Sequence, residues 1–214
     1  SLDSFDLSQV DAIVVAAPDP AHFGAVLAGL HAGKHVFCEK PLGLTAAECR
    51  ELAAVAVASG CVAQVGYMKR FDPVRARLEQ ALVDHGALIE SVAVEVRDPD
   101  AAPFVRGFPF VPGGNDVDPA LLEIGARRFA EAVAEVIGRP ASSEQTTAWG
   151  SFIGALIHDL NFVRNFLPED LTVEAGFIGM AGLQVGLHLR TSDGVLARMT
   201  HTQVPHTADY QELV

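Results

Sequence analysis

Three short apolar runs, each followed by a helical pattern, constrain this chain more than any other feature. They are Asp11 to Ala17 (DAIVVAA), His35 to Cys38 (HVFC) and Cys61 to Tyr67 (CVAQVGY). The first, rich in Ile and Val, suits a strand buried on both faces, as in a parallel sheet. Pro18-Asp19-Pro20 stops it, with Asp19 as a helix N-cap and Pro20 as the first helical residue. Phe23, Val26, Leu27 and Leu30 then form an i, i+3, i+4, i+7 stripe that Gly33 ends. Thr45 and Glu48 make a capping-box pattern for a second helix, which runs to about Ser59 and closes at Gly60. Asp72-Pro73 opens a third helix, which runs to about His85 and ends at Gly86. Strand and helix alternating over short connections imply right-handed crossovers and a parallel sheet.

From Leu88 the period changes. Ile89 to Arg97, Leu171 to Ile178, Leu183 to Arg190 and Val195 to Thr202 alternate, and Ser192-Asp193-Gly194 is a hairpin turn. Helices are predicted from Asp118-Pro119 to about Gly138 and from roughly Gly150 to Phe166. The Pro/Gly-rich stretch from Asp98 to Asp116 reads as loop. This half predicts a largely antiparallel sheet with one face against helices.

Fifteen basic against 27 acidic residues give a net charge of −12. Such a chain is repelled by phosphate backbones, so no nucleic-acid partner is expected. No apolar run approaches the roughly 20 residues of a membrane span. No signal peptide is visible. Cys38, Cys49 and Cys61 lie in separate elements without a C-x-x-C. That usage favours a reducing cytoplasm over a disulfide framework, and no metal site is expected. His201 and His206 would face opposite sides of a continuous strand.

Val14-Val15-Ala16-Ala17-Pro18, His22, Ala32-Gly33-Lys34-His35-Val36, Cys38-Glu39-Lys40-Pro41-Leu42 and Val65-Gly66-Tyr67-Met68-Lys69-Arg70-Phe71-Asp72 occur in that order. Together they resemble the Gfo/Idh/MocA oxidoreductases, which include glucose–fructose oxidoreductase and inositol dehydrogenase. The resemblance covers Asp11 to Arg97, and beyond it depends mainly on the helix around His158. It implies an α/β fold: a Rossmann-type parallel sheet, then an α+β domain with an open, mostly antiparallel sheet. No G-x-G-x-x-G is present. In the six-stranded order 3-2-1-4-5-6, the strands here are expected to be the fourth, fifth and sixth. Residues 1–87 then form the C-terminal half of the dinucleotide-binding domain. Residues 88–214 form a substrate and oligomerisation domain, incomplete at its end, where Tyr210 to Val214 resembles the start of a strand. The chain is expected to be truncated at both ends.

The resemblance implies hydride transfer between a sugar, polyol or related hydroxy compound and NAD or NADP. It also implies a homodimer or homotetramer through the antiparallel sheet. Hydride leaves an alcohol only if the hydroxyl is held and its proton removed. Lys40, at the carboxyl end of a parallel strand, faces the crevice where such folds bind ligands, and the resemblance implies that it touches substrate and nicotinamide. Pro18, His22, Glu39 and Pro41 are expected beside the cofactor, although His22 equally suits an exposed first-turn histidine. A cis Lys40-Pro41 bond is open at this position. His158 is the implied general base. The family places an aspartate one turn before that histidine, where this chain has Gly154. Asp159 points about 100° away on a helix and is a poor replacement. Lys69 and Arg70 are candidates for binding substrate hydroxyls or a carboxylate, or form a basic pair on a loop. Gly154 favours an alternative: a non-catalytic sugar-binding or regulatory paralogue. The uncovered edge of the Asp11–Ala17 strand favours another: a structural subunit.

Overall fold

The computed structural model describes residues 6–84, 89–99, 117–167, 169–204 and 211–213. The strands are β1 (Ala12–Val15), β2 (His35–Cys38), β3 (Ala63–Val65), β4 (Ser91–Pro99), β5 (Leu171–Gly179), β6 (Gln184–Thr191), β7 (Leu196–Val204) and β8 (Gln211–Leu213). The helices are α1 (His22–His31), α2 (Ala46–Ser59), α3 (Pro73–Asp84), α4 (Pro119–Ile137), α5 (Ser143–Ser151) and α6 (Ile157–Val163). They gather into two compact units, residues 1–67 with 114–141 and residues 68–113 with 142–214. No helix among the described residues is long and apolar enough to cross a membrane.

The first unit is built on a parallel sheet in the order β1-β2-β3, with Val15 opposite Cys38 and Cys38 opposite Val65. Val26 and Leu30 of α1 and Leu52 of α2 pack on Val15, Val36 and Cys38 to form its core. The cap-plus-proline pattern at Asp19-Pro20 makes a 3-10 turn, Asp19–Ala21, and α1 begins only at His22. At α2, Thr45 Oγ1 accepts from the Glu48 amide at 3.2 Å, as the capping box predicts. The Glu48 carboxylate, however, accepts from the Leu44 amide at 2.7 Å and pairs with Arg128 at 2.6 Å. The same Arg128 donates to Pro20 O at 2.8 Å and lies 5.6 Å over the Phe23 ring. These contacts seat α4 in the first unit, although the sequence places it in the second half. Conversely, α3 groups with the second unit.

The second unit carries a mixed sheet in the order β5-β6-β7-β4-β8. Its pairings are antiparallel except β4 with β7, which run parallel from Ser91↔Leu196 to Pro99↔Val204. Alternation sends Val94, Val96, Val185, Leu189, Ala197 and Met199 inward against Leu156, Phe162 and Val163. The predicted turn at Ser192-Asp193-Gly194 joins β6 to β7, with Gly194 at φ +96°. Gly182, at φ +94°, leaves no room for a side chain: a Cβ would lie 2.5 Å from Glu144 O and 2.7 Å from Thr147 Cβ. The start of a strand expected at the C-terminus is β8, on the free edge of β4. Of the loop predicted from Asp98, residues 100–116 lie outside the described residues, as do His85, Gly86 and His206.

Candidate active site

In the first unit the chemistry gathers at the carboxyl ends of the parallel strands. The ladder closes with the Glu39 amide on Val15 O and the Gly66 amide on Cys38 O, both 2.8 Å. Lys40 follows directly, half-buried, and its peptide bond to the buried Pro41 is cis. Its amide donates to Glu39 Oε2 at 3.3 Å. A Cβ at Gly66 would come within 3.1 Å of Glu39 Oε1, so glycine lets that carboxylate lie over the end of β3. Pro18 is exposed beside the end of β1.

His22 is not the exposed first-turn residue that its position allows. It is 1% exposed. Its Nδ1 lies 2.7 Å from Pro41 O and its Nε2 lies 2.7 Å from Ala17 O. Both nitrogens therefore engage backbone carbonyl oxygens. Cys38 is buried beneath the same turn, and burial pushes its thiol up to about 12, with Glu39 adding to the effect. That makes it a packing group.

In the second unit the predicted helix from Gly150 to Phe166 is three pieces. Ser142 and Gln145 close a capping box on α5. Phe152–Leu156 is then a π-helical turn, and α6 carries the chain on. Such turns displace the residues that follow them and recur at functional sites. Gly154 lies inside this turn, and a Cβ there would meet nothing within 4 Å. His158 stands half-buried in the first turn of α6.

Asp159 is 3% exposed and pairs with Lys69 Nζ at 2.5 Å. Arg70 Nε donates to Asn161 Oδ1 at 2.6 Å. Lys69 and Arg70 are thus held against α6, Lys69 partly buried and Arg70 exposed. The sequence undervalues Asp159 because its partner lies 90 residues away and no local pattern announces it. His201 is the other residue that the sequence leaves unplaced. It faces the core from β7, 3% exposed, with Nε2 3.5 Å from Asp98 Oδ2. That is an ion-pair distance, too long for a good hydrogen bond. Burial pushes the imidazole pKa below its usual value, and Asp98 opposes the shift only in part.

Residues 2–67 match the Gfo/Idh/MocA family, described as an oxidoreductase family with an NAD-binding Rossmann fold. Inositol 2-dehydrogenase 1 of Saccharopolyspora erythraea is 48% identical over 86 residues, which is 40% of this chain and 25% of that protein. Inositol 2-dehydrogenase of Rhodococcus erythropolis is 31% identical over 213 residues, covering 90% of this chain and 59% of that protein. Scyllo-inositol dehydrogenase from Lactobacillus casei, solved with bound NAD(H) and scyllo-inositol, shares the fold with a TM-score of 0.64 at 21% identity, over 97% of this chain and 56% of that one. The chain thus spans from about a quarter to three-fifths of the length of these proteins. The fold matches the expected parallel sheet followed by a mostly antiparallel one, and the longer alignment extends through both units. By these likenesses the chain belongs to the Gfo/Idh/MocA oxidoreductase family.

Proposed function

We propose that this chain carries the hydroxyl-oxidising residues of an NAD-dependent dehydrogenase acting on a cyclitol of the inositol class. The observation that carries this reading is the placement of Lys40 two residues past the end of β2, within residues 2–67, which match the NAD-binding oxidoreductase family. NAD is preferred to NADP because the matching family is described as NAD-binding and the L. casei relative holds NAD(H). The strand ends suit the nicotinamide end of a dinucleotide. Exposed Pro18 and Glu39 flank half-buried Lys40, and Gly66 keeps the floor free of a side chain. Pro18, Glu39, Lys40 and Pro41 would hold it, and the bound nicotinamide supplies the hydride acceptor.

This chain's residues handle the proton. The Lys40 ammonium donates an N–H to the reacting hydroxyl oxygen and orients it, leaving the hydroxyl proton to the general base as the carbonyl forms. His158, in the second unit, is the proposed general base. Lys69 and Arg70, fixed by Asp159 and Asn161, present N–H groups to the remaining hydroxyls. A homodimer or homotetramer through the outer face of the five-stranded sheet, where Phe177 and Leu196 are exposed, belongs to the same reading. So does a cytoplasmic location, supported by free Cys38, Cys49 and Cys61.

Titration with NADH by fluorescence, followed by myo-inositol turnover with NAD⁺, tests the proposal in the full-length protein. Binding and turnover are expected, and Lys40→Ala should lower turnover by about 10²–10⁴-fold at unchanged yield. Undiminished turnover removes Lys40 from the mechanism, and absence of NADH binding removes the dehydrogenase. Gly154 supports a second reading, a cyclitol-binding relative without turnover, which binding without oxidation would favour.

A further inference from the structure

We propose that His22 is a positioning residue for Lys40, a doubly protonated ring that clasps the two turns leaving β1 and β2. Its effect on turnover rests on the dehydrogenase reading above, whereas the clasp itself stands on geometry. A residue opening a helix can face water, yet His22 is 1% exposed. Its two nitrogens lie 2.7 Å from the carbonyl oxygens of Pro41 and Ala17. Carbonyl oxygens only accept. A neutral imidazole brings one N–H and one lone pair, so one contact would set lone pair against lone pair. A ring with hydrogen on both nitrogens makes both contacts hydrogen bonds, charge-assisted and correspondingly strong.

The two acceptors explain what the clasp does. Ala17 leads into Pro18 after β1, and Pro41 follows Lys40 after β2. The ladder bonds stop at Glu39 on one side and Gly66 on the other, before Lys40. His22 adds a tie just beyond them, one residue past the lysine. Both of its nitrogens are engaged there, so it acts on the reaction through the Lys40 backbone. A shift of about 1 Å in a reacting group is enough to cost about 10²-fold in rate.

The test uses the full-length protein labelled with ¹⁵N-histidine, and the variants His22→Gln and His22→Ala. At neutral pH both ring nitrogens of wild-type His22 are expected to resonate as N–H. Amide exchange over residues 39–45 should accelerate by about tenfold or more in the variants, with the later turns of α2 unchanged. Where the wild type oxidises a cyclitol, kcat should fall about 10- to 100-fold while KM for NAD⁺ moves less than about threefold. Gln, which keeps an N–H donor, should recover part of the loss. A bare-nitrogen signal from His22, or wild-type exchange over the turn in the variants, overturns the proposal. If neither variant folds, the ring signals of the wild type decide. If the wild type has no turnover, ring signals and exchange still judge the clasp, so the two readings fail separately.

Discussion

Around their candidate site residues, the two units hold their polar groups by different means. In the first, His22 grips main-chain carbonyls of Ala17 and Pro41, and the turn around Lys40 is set by ladder ends. In the second, side chain holds side chain: Lys69 to Asp159, Arg70 to Asn161, His201 toward Asp98. Backbone acceptors exist whatever the residue, so the first arrangement depends on few identities. Paired side chains fail together, since removing one charge leaves the other buried without compensation.

The sharpest way to break this comparison is at the ion pair. Lys69→Met should cost about 3 kcal/mol, because it removes the cation paired with the buried Asp159 carboxylate. Lys40→Met, in a turn set by main-chain ladder bonds, should cost clearly less. Urea denaturation of both variants checks the contrast, and equal midpoints would abolish it. The double variant Lys69→Met with Asp159→Leu should regain much of the loss, since both charges are then gone.

A smaller effect tests backbone against backbone. Gly182→Ala should cost about 2 kcal/mol, from a positive φ and a Cβ pressed on Glu144 O. A thermal midpoint within error of wild type would mean that α5 yields there.

The smallest effect is acid sensitivity from His201. Its pKa is lowered in the folded state by burial, so the unfolded chain takes up the proton first. Stability contributed by the neutral ring is complete above the usual histidine value of about 6.5. It falls as pH drops from there through the lowered folded value, with a slope of at most about 1.4 kcal/mol per pH unit. His201→Gln should flatten that slope, as read from urea midpoints between about pH 7 and 4. An unchanged slope would assign the sensitivity to other groups.

The same contrast governs what the sequence makes legible. β1, β2 and β3, the caps at Thr45 and Asp118, and the Lys40 turn are local patterns, and they lie where the residues predict. β4 to β7 follow from alternation and one hairpin turn. The parallel seating of β4 against β7 was not legible, because period-2 patterning fixes which face is buried and leaves the neighbour open. The same holds for α4, whose place is set by Arg128 reaching Glu48 and Pro20. The pairing of Asp159 with Lys69 was not legible, because the two lie 90 residues apart. The π-helical turn has no signal in Phe152 to Leu156 that an α-helix would lack.

The position of β4 has a consequence for how the protein is made. Its neighbours, β7 and β8, both come later in the chain, beginning at Leu196. On the ribosome β4 emerges with both edges open and stays so until nearly a hundred further residues have followed. Closing that long a loop before any strand pairing rewards it makes the second unit intrinsically slow to form. At roughly 5–20 residues per second of synthesis, the apolar face of β4 is exposed for several seconds, which makes this strand the place where the nascent chain most needs protection from its neighbours.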